Sequence, residues 1–253
     1  MERLCKDVAD AVERAVEPLA GDRSSSEIVG PGADGTPTKA IDEAADNAAL
    51  EVLESHGDVR VVSEESGETV YGDPEATVVV DPLDGTYNAA HGIPVYAFSI
   101  GVADGDHVDD VEYAYVRELR SGSTYTARRD EGAWFDGEAI QVEASQRAGD
   151  MAVSGVYNVE GFDPAEFQRV RLLGCSSLEM CYVAAGRLDG FLDLRAHLRV
   201  VDFAAAALVI KEAGGVVTNG AGEEIDRRIE VTERSSVVAG APRSHDAIME
   251  VVT

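Results

Sequence analysis

The segment VVVDPLDGTYNAAHG, from Val78 to Gly92, holds the residues best suited to chemistry. A run of β-branched residues leads into Asp81, so a buried strand delivers a carboxylate at its C-terminal edge. Pro82 fixes the turn that follows, and Asp84 comes three residues after Asp81. Two carboxylates so close repel when both are ionised and unpaired, and a hard divalent cation bridging them removes that penalty. The Leu83 carbonyl between them offers a further oxygen. Gly85 and Thr86 then open a short helix, whose first N–H groups bind phosphate while the glycine permits close approach. The same string would also serve as an Asp-rich turn with Asp84 as a helix N-cap.

Other carboxylates occupy similar settings. VVSEES puts Glu64 and Glu65 at the end of a second short apolar strand, and the residues alone do not choose between them. RVVDFAAAALVIKEAGG puts Asp202 at the start of an apolar helix that ends at Gly214-Gly215, where a plain N-cap is the simpler use. Their coincidence favours a metal: three apolar elements each end in a carboxylate, and none has a lysine or histidine beside it in sequence. No Ser-His or Cys-His arrangement for nucleophilic catalysis stands out.

The elements that must carry these residues change character along the chain. Leu4, Val8, Ala11, Val12, Ala15, Val16 and Leu19 predict a helix over residues 3–20, weakened at its last turn by Pro18. Gly21 to Gly35 is rich in Gly and Ser and reads as a mobile loop or loose hairpin. A second helix is expected from about Thr38 to Ser55, with Ile41, Ala45, Ala48, Ala49 and Val52 inward and Asp42 near its N-terminal end. Short β-type runs follow from Val59 to Arg129, which fits a helix-backed, largely antiparallel sheet. From Met151 strands and helices alternate. The change of rhythm places a boundary between an N-terminal lobe, 1–145, and a C-terminal lobe, 146–253.

Composition narrows the function class. The 253 residues carry 48 acidic and 21 basic side chains, a net charge of -27, and only three lysines: Lys6, Lys39 and Lys211. A surface so acidic repels nucleic acid and anionic membranes, so neither is an expected partner. Acids spread along the whole chain, with arginine preferred to lysine, point to a salt-loving source, where screening shortens self-repulsion. Cys5, Cys175 and Cys181 show no metal or disulfide spacing and read as buried thiols. No signal peptide or membrane-length apolar run is visible, so a cytoplasmic protein is expected.

Glu64-Glu65, the DPLDGT string from Asp81 to Thr86, and Asp202 with its Ala-rich helix and Glu212-Ala-Gly-Gly215 resemble the inositol monophosphatase family, in order over nearly the whole chain. GTPTKAIDEAAD and RLLGCSSLEMCYVAAGRLDGF look most like the archaeal members, which act on inositol 1-phosphate and fructose 1,6-bisphosphate. The resemblance implies an α+β fold, a layered αβαβα sandwich, and a Mg2+-dependent phosphatase working as a homodimer with two or three ions per site. It implies that Glu64, Asp81 and the Leu83 carbonyl bind one ion, that Asp81, Asp84 and Asp202 bind a second, and that a weaker third lies near Glu64. It also makes Thr86 and Asp42 the water-activating pair and puts Asp84, Gly85 and Thr86 against substrate. Seven residues before Asp202, where animal members have a glutamate, this chain has Arg195, whose fork suits a second phosphate. Arg171, just before the GCSS turn, and Ser176 within it are further substrate-binding candidates. A 3'-phosphoadenosine 5'-phosphate phosphatase shares the metal core. A catalytically silent, metal- or phosphate-binding regulatory protein is a third reading, disfavoured because every expected carboxylate and the threonine are intact.

Overall fold

Why the chain forms layers follows from where its apolar side chains fall. The computed structural model describes residues 1–155 and 163–252. In chain order these form α1 (Glu2–Val16), the hairpin β1 (Ile28–Pro31) and β2 (Pro37–Lys39), α2 (Ala40–His56), β3 (Val59–Ser63), β4 (Gly67–Tyr71), β5 (Ala76–Asp84) and α3 (Thr86–Ala90). Next come β6 (Ala97–Ala103), β7 (Val111–Glu118), β8 (Thr124–Arg128), β9 (Gly132–Phe135) and β10 (Glu138–Ala139). The remainder is β11 (Ala152–Ser154), β12 (Arg169–Arg171), α4 (Ser176–Ala184), β13 (Gly190–Arg199), α5 (Val200–Glu212), β14 (Val216–Thr218), β15 (Arg234–Gly240) and α6 (Pro242–Val252).

The larger sheet runs β10-β9-β8-β7-β6-β5-β3-β4 and is antiparallel except where β3 lies parallel to β5. Its alternating side chains feed two cores. Val78, Val80, Phe98, Ile100, Tyr113 and Tyr115 point to one face and pack with α1 and α2. Val79, Ala97, Ala114, Val116 and Ala127 point to the other face and pack with α4 and α5. The residues toward α5 are small for a reason. Ala204 to Ala207 of α5 pack on this face, and a Cβ on Gly101 of β6 would press on the Val79 and Val111 side chains at 3.0 and 3.2 Å with the Ala205 Cα at 3.7 Å behind them. The other side of α4 and α5 meets the smaller sheet, ordered β12-β11-β13-β15-β14. There Met151, Val153, Leu192 and Val238 pack with Ala247 and Ile248 of α6. The result is five layers, αβαβα, as the family resemblance implies. Being buried on both sides explains why α5 carries apolar residues all round instead of on one stripe.

Several local expectations shift. α1 stops at Val16, two residues ahead of Pro18, rather than continuing to 20. α2 is turned so that Leu53 is fully buried while Ala48 and Val52 are half-buried. The Gly- and Ser-rich segment contains a short 3-10 turn at Arg23–Ser26 and the first strand of the β1–β2 hairpin. Strand β5 does not end at Asp81 but continues to Asp84.

Candidate active site

A spacing of three in a regular strand sends two side chains to opposite faces. Asp81 and Asp84 escape that rule because β5 bulges between them. Asp81 pairs with Ser99 and Asp84 with Ala97, so three steps on β5 match two on β6. Pro82, which has no N–H to offer a ladder, sits inside the bulge. The switch of face is visible at Leu83: an unbroken strand would put it on the side of Asp81, yet it packs in the α1–α2 core. Asp81 keeps the face of Val79, toward the start of α5. The Leu83 N–H donates to Asp81 Oδ1 at 3.0 Å and holds that carboxylate in place.

Glu64 follows directly on β3, whose Val62 faces the α5 side, and its N–H still reaches the Val80 carbonyl at 3.3 Å. Asp202 arrives from the first turn of α5. It is not the N-cap; Arg199 holds that position, and Asp202 Oδ2 folds back to accept the Arg199 backbone N–H at 2.7 Å. Glu64, Asp81 and Asp202 thus each bring an oxygen to within 4.8 Å of the other two. Glu65 turns away to accept the Thr38 hydroxyl, while its carbonyl accepts the Ala33 N–H at 2.9 Å. It fastens the β1–β2 hairpin.

Burial, reinforced by the neighbouring carboxylates, raises Asp81 well above the usual carboxylate range. Glu64 is raised in the same way against the pull of Arg199. Burial is again the main cause for Asp84, opposed by its hydrogen bonds from Ser177. Such a cluster binds either protons or cations. The cation the sequence did not reveal is Arg199. Its Nη1 lies 2.5 Å from Glu64 Oε1 and its Nη2 2.9 Å from Asp202 Oδ1. The same Nη1 is 3.6 Å from Asp34 Oδ2 on the hairpin loop, and Arg234 Nη2 donates to that oxygen at 2.7 Å. A search limited to lysine and histidine passes over Arg199, although its i, i+3 spacing from Asp202 was readable.

Beside the cluster, the Thr86 hydroxyl donates to Asp42 Oδ1 at 2.6 Å, with the Leu83 carbonyl 3.2 Å away. Asp42 stands in the first turn of α2, and its Oδ2 accepts the Lys39 N–H at 3.2 Å. Burial raises its pKa, and the hydrogen bonds from Thr86 and Lys39 act against that rise. Gly85, at φ +87°, turns the chain from β5 into α3, and any Cβ there would press within 3.0 Å of the Val95 carbonyl.

The substrate-side candidates are less closely gathered. Ser176 opens α4 and is half-buried, and Ser177, not Ser176, reaches the Asp84 carboxylate. Arg195 gives its Nε to Asp193 Oδ1 at 3.0 Å and its Nη2 to Oδ2 at 2.5 Å, against a fully buried carboxylate. Arg171 is exposed, with Nη1 on the Val170 carbonyl.

A sequence profile of the inositol monophosphatase family matches residues 2–253. The chain belongs to the inositol monophosphatase family. It is therefore a metal-dependent hydrolase of phosphate monoesters, consistent with the buried acidic cluster. Among its relatives, the fructose-1,6-bisphosphatase/inositol-1-monophosphatase of Methanothermobacter thermautotrophicus is 40% identical over 264 residues, covering 97% of this chain and 94% of that protein. The bifunctional NADP phosphatase/NAD kinase of Methanococcus maripaludis is 33% identical over 276 residues, covering 99% of this chain but 49% of its own length. A crystal structure of an inositol monophosphatase-fructose 1,6-bisphosphatase superposes with a TM-score of 0.90 at 32% identity, covering 99% of this chain and 98% of the other. Among the described residues no helix is long and apolar enough to cross a membrane.

Proposed function

We propose that this family member releases phosphate from fructose 1,6-bisphosphate, inositol 1-phosphate or both, using Mg2+. The observation that carries the reading is the Glu64–Asp81–Asp202 cluster with the Asp42–Thr86 pair beside it. The donors are carboxylate and carbonyl oxygens only, a set that suits Mg2+ better than softer metals. Glu64, Asp81 and the Leu83 carbonyl would hold one ion, Asp81, Asp84 and Asp202 a second, and a third would sit near Glu64. Such ions neutralise the ester's charge and acidify the attacking water.

The chain's own residues orient the reaction. Because the Thr86 proton is committed to Asp42, the Thr86 oxygen is left to accept a hydrogen bond from water. That contact holds a water lone pair toward phosphorus. The water oxygen bonds to phosphorus as the phosphorus–ester oxygen bond breaks, and the proton the water gives up is matched by one taken by the ester oxygen through solvent, so the products are the alcohol and inorganic phosphate. The backbone N–H groups of Gly85 and Thr86 face the phosphate, and Arg195, Arg171 and Ser176 the rest of the substrate. In this reading the site lies between an N-terminal lobe, 1–145, and a C-terminal lobe, 146–253, and two such chains form a homodimer, which sedimentation would test.

The names of the archaeal relatives support the sugar and polyol substrates. The NADP phosphatase relative favours one second reading, a nucleotide 2'-phosphate. Purified protein in molar KCl would be assayed on fructose 1,6-bisphosphate, inositol 1-phosphate, NADP and 3'-phosphoadenosine 5'-phosphate, with Mg2+ or EDTA. Mg2+-dependent release is expected from the first two and is abolished by Asp84→Asn. Arg195→Ala should weaken the bisphosphate reaction selectively. No Mg2+-dependent release from any of the four would sink the proposal.

A further inference from the structure

We propose that Ser177 is a positioning residue that decides which oxygen of Asp84 faces the metal. The inference rests on the reading above, in which Asp84 is a ligand. Asp84 Oδ2 accepts the Ser177 backbone N–H at 2.7 Å and the Ser177 hydroxyl at 2.6 Å. That oxygen thus takes two hydrogen bonds from one fully buried residue, while Oδ1 takes neither. The carboxylate can then turn only Oδ1 toward a cation, so Asp84 is held as a one-oxygen ligand.

The Ser177 side chain is in place because the whole turn before α4 is clasped onto the Asp84–Gly85 segment. The Cys175 thiol donates to the Asp84 carbonyl at 3.5 Å. The Gly174 carbonyl lies 3.2 Å from where a Gly85 Cβ would stand, so the two turns touch backbone to backbone. From the other side, Asn88 Nδ2 donates to the Leu173 carbonyl at 2.7 Å. Glu179, almost entirely buried, accepts the Gly174 and Cys175 N–H groups on Oε1 at 2.9 and 3.3 Å and keeps the turn in shape. The N-cap residue Cys175 makes no side-chain capping bond, so Asp84, 93 residues before Ser177, serves the first turn of α4 in its stead. The hydroxyl is what serine adds, since any residue but proline at 177 would supply the N–H.

Ser177→Ala removes the hydroxyl bond and keeps the backbone bond. Loss of a hydrogen bond that orients a ligand costs about tenfold or more in metal affinity. The half-saturating Mg2+ concentration should rise by about that factor, and calorimetric titration of Mg2+ alone should show the same loss, with a much smaller change in kcat at saturating Mg2+. Ser177→Thr should restore the affinity, and Ser177→Cys, which keeps the bulk but donates weakly, should follow the alanine variant. A fall in kcat with unchanged Mg2+ dependence, or equal affinities for the alanine and threonine variants, overturns the proposal. Asp84→Asn is the separating control. If it stays active, the ligand role of Asp84 itself fails; if it is dead while Ser177→Ala titrates like the parent, only the positioning role fails.

Discussion

Arg199→Met removes a guanidinium that touches two carboxylates of the cluster, and its cost can be worked from the geometry. Nη1 is 2.5 Å from Glu64 and Nη2 2.9 Å from Asp202, with the arginine side chain 17% exposed. At an effective dielectric near 20, a pair of charges about 4 Å apart is worth about 4 kcal/mol, so two pairs give about 8 kcal/mol gross. Desolvating the guanidinium and the carboxylates takes back more than half. Breaking a buried pair from one side costs about 3–5 kcal/mol, and partial exposure here argues for the lower end. For a chain of this size that is a fall in Tm of about 6–12 °C. The assay is thermal unfolding at constant KCl in EDTA and again with saturating Mg2+. Divalent ions binding Glu64 and Asp202 would take over the neutralising role, so the loss should be large in EDTA and mostly recovered with Mg2+. Linkage then requires the variant to bind Mg2+ more tightly than the parent, because ion and guanidinium compete for the same oxygens. An equal loss of Tm in both conditions would falsify the reasoning and reduce Arg199 to a packing residue.

Gly85→Ala should lose activity and several degrees of Tm, since it forces a side chain to φ +87° and against the Val95 and Gly174 carbonyls; wild-type behaviour in both assays would show that the turn relaxes freely. His245 is buried, its Nε2 is 2.8 Å from the Thr218 hydroxyl, and burial lowers its pKa below the ordinary 6.5 despite Asp246. Its neutral form is thus fully favourable above pH 6.5, and stability is lost as pH falls below that value toward its folded pKa. His245→Gln should flatten the decline in Tm between pH 7.5 and 5.5 relative to the parent, and parallel declines would remove the histidine from the account. With a net charge of -27, lowering KCl from about 1 M to 0.1 M lengthens the Debye length from about 3 to 10 Å and should reduce Tm. A Tm independent of KCl would mean that the acidic surface is not an adaptation to salt.

How far the site could be read in advance depended on how local each feature is. The DPLDGT string, the apolar strands before Glu64 and Asp81, and the Ala-rich helix after Asp202 are contiguous patterns, and the chain folds them as patterned. The choice of Glu64 over Glu65 needed the family resemblance, because neighbours on a strand differ only in face, and facing is decided by what packs on each side. The turn of α2 toward Leu53 is not legible in the sequence for the same reason: which face of a mixed stretch goes inward is set by what packs on it.

Local sequence determined which carboxylates exist, the buried strands and helix that carry them and the acidic surface; the layered αβαβα architecture came only from the family resemblance. Tertiary structure alone decided that Asp81 and Asp84 lie on the same face of the sheet, since their spacing in an unbroken strand would separate them and the bulge against β6 reverses that. It also brought Ser177 across 93 residues to Asp84 and Arg234 across 200 to Asp34. Spacing along the chain constrains partners within a turn or a strand. Partners that far apart meet only because α4 and α5 lie between the two sheets, which brings turns distant in sequence over the same edge.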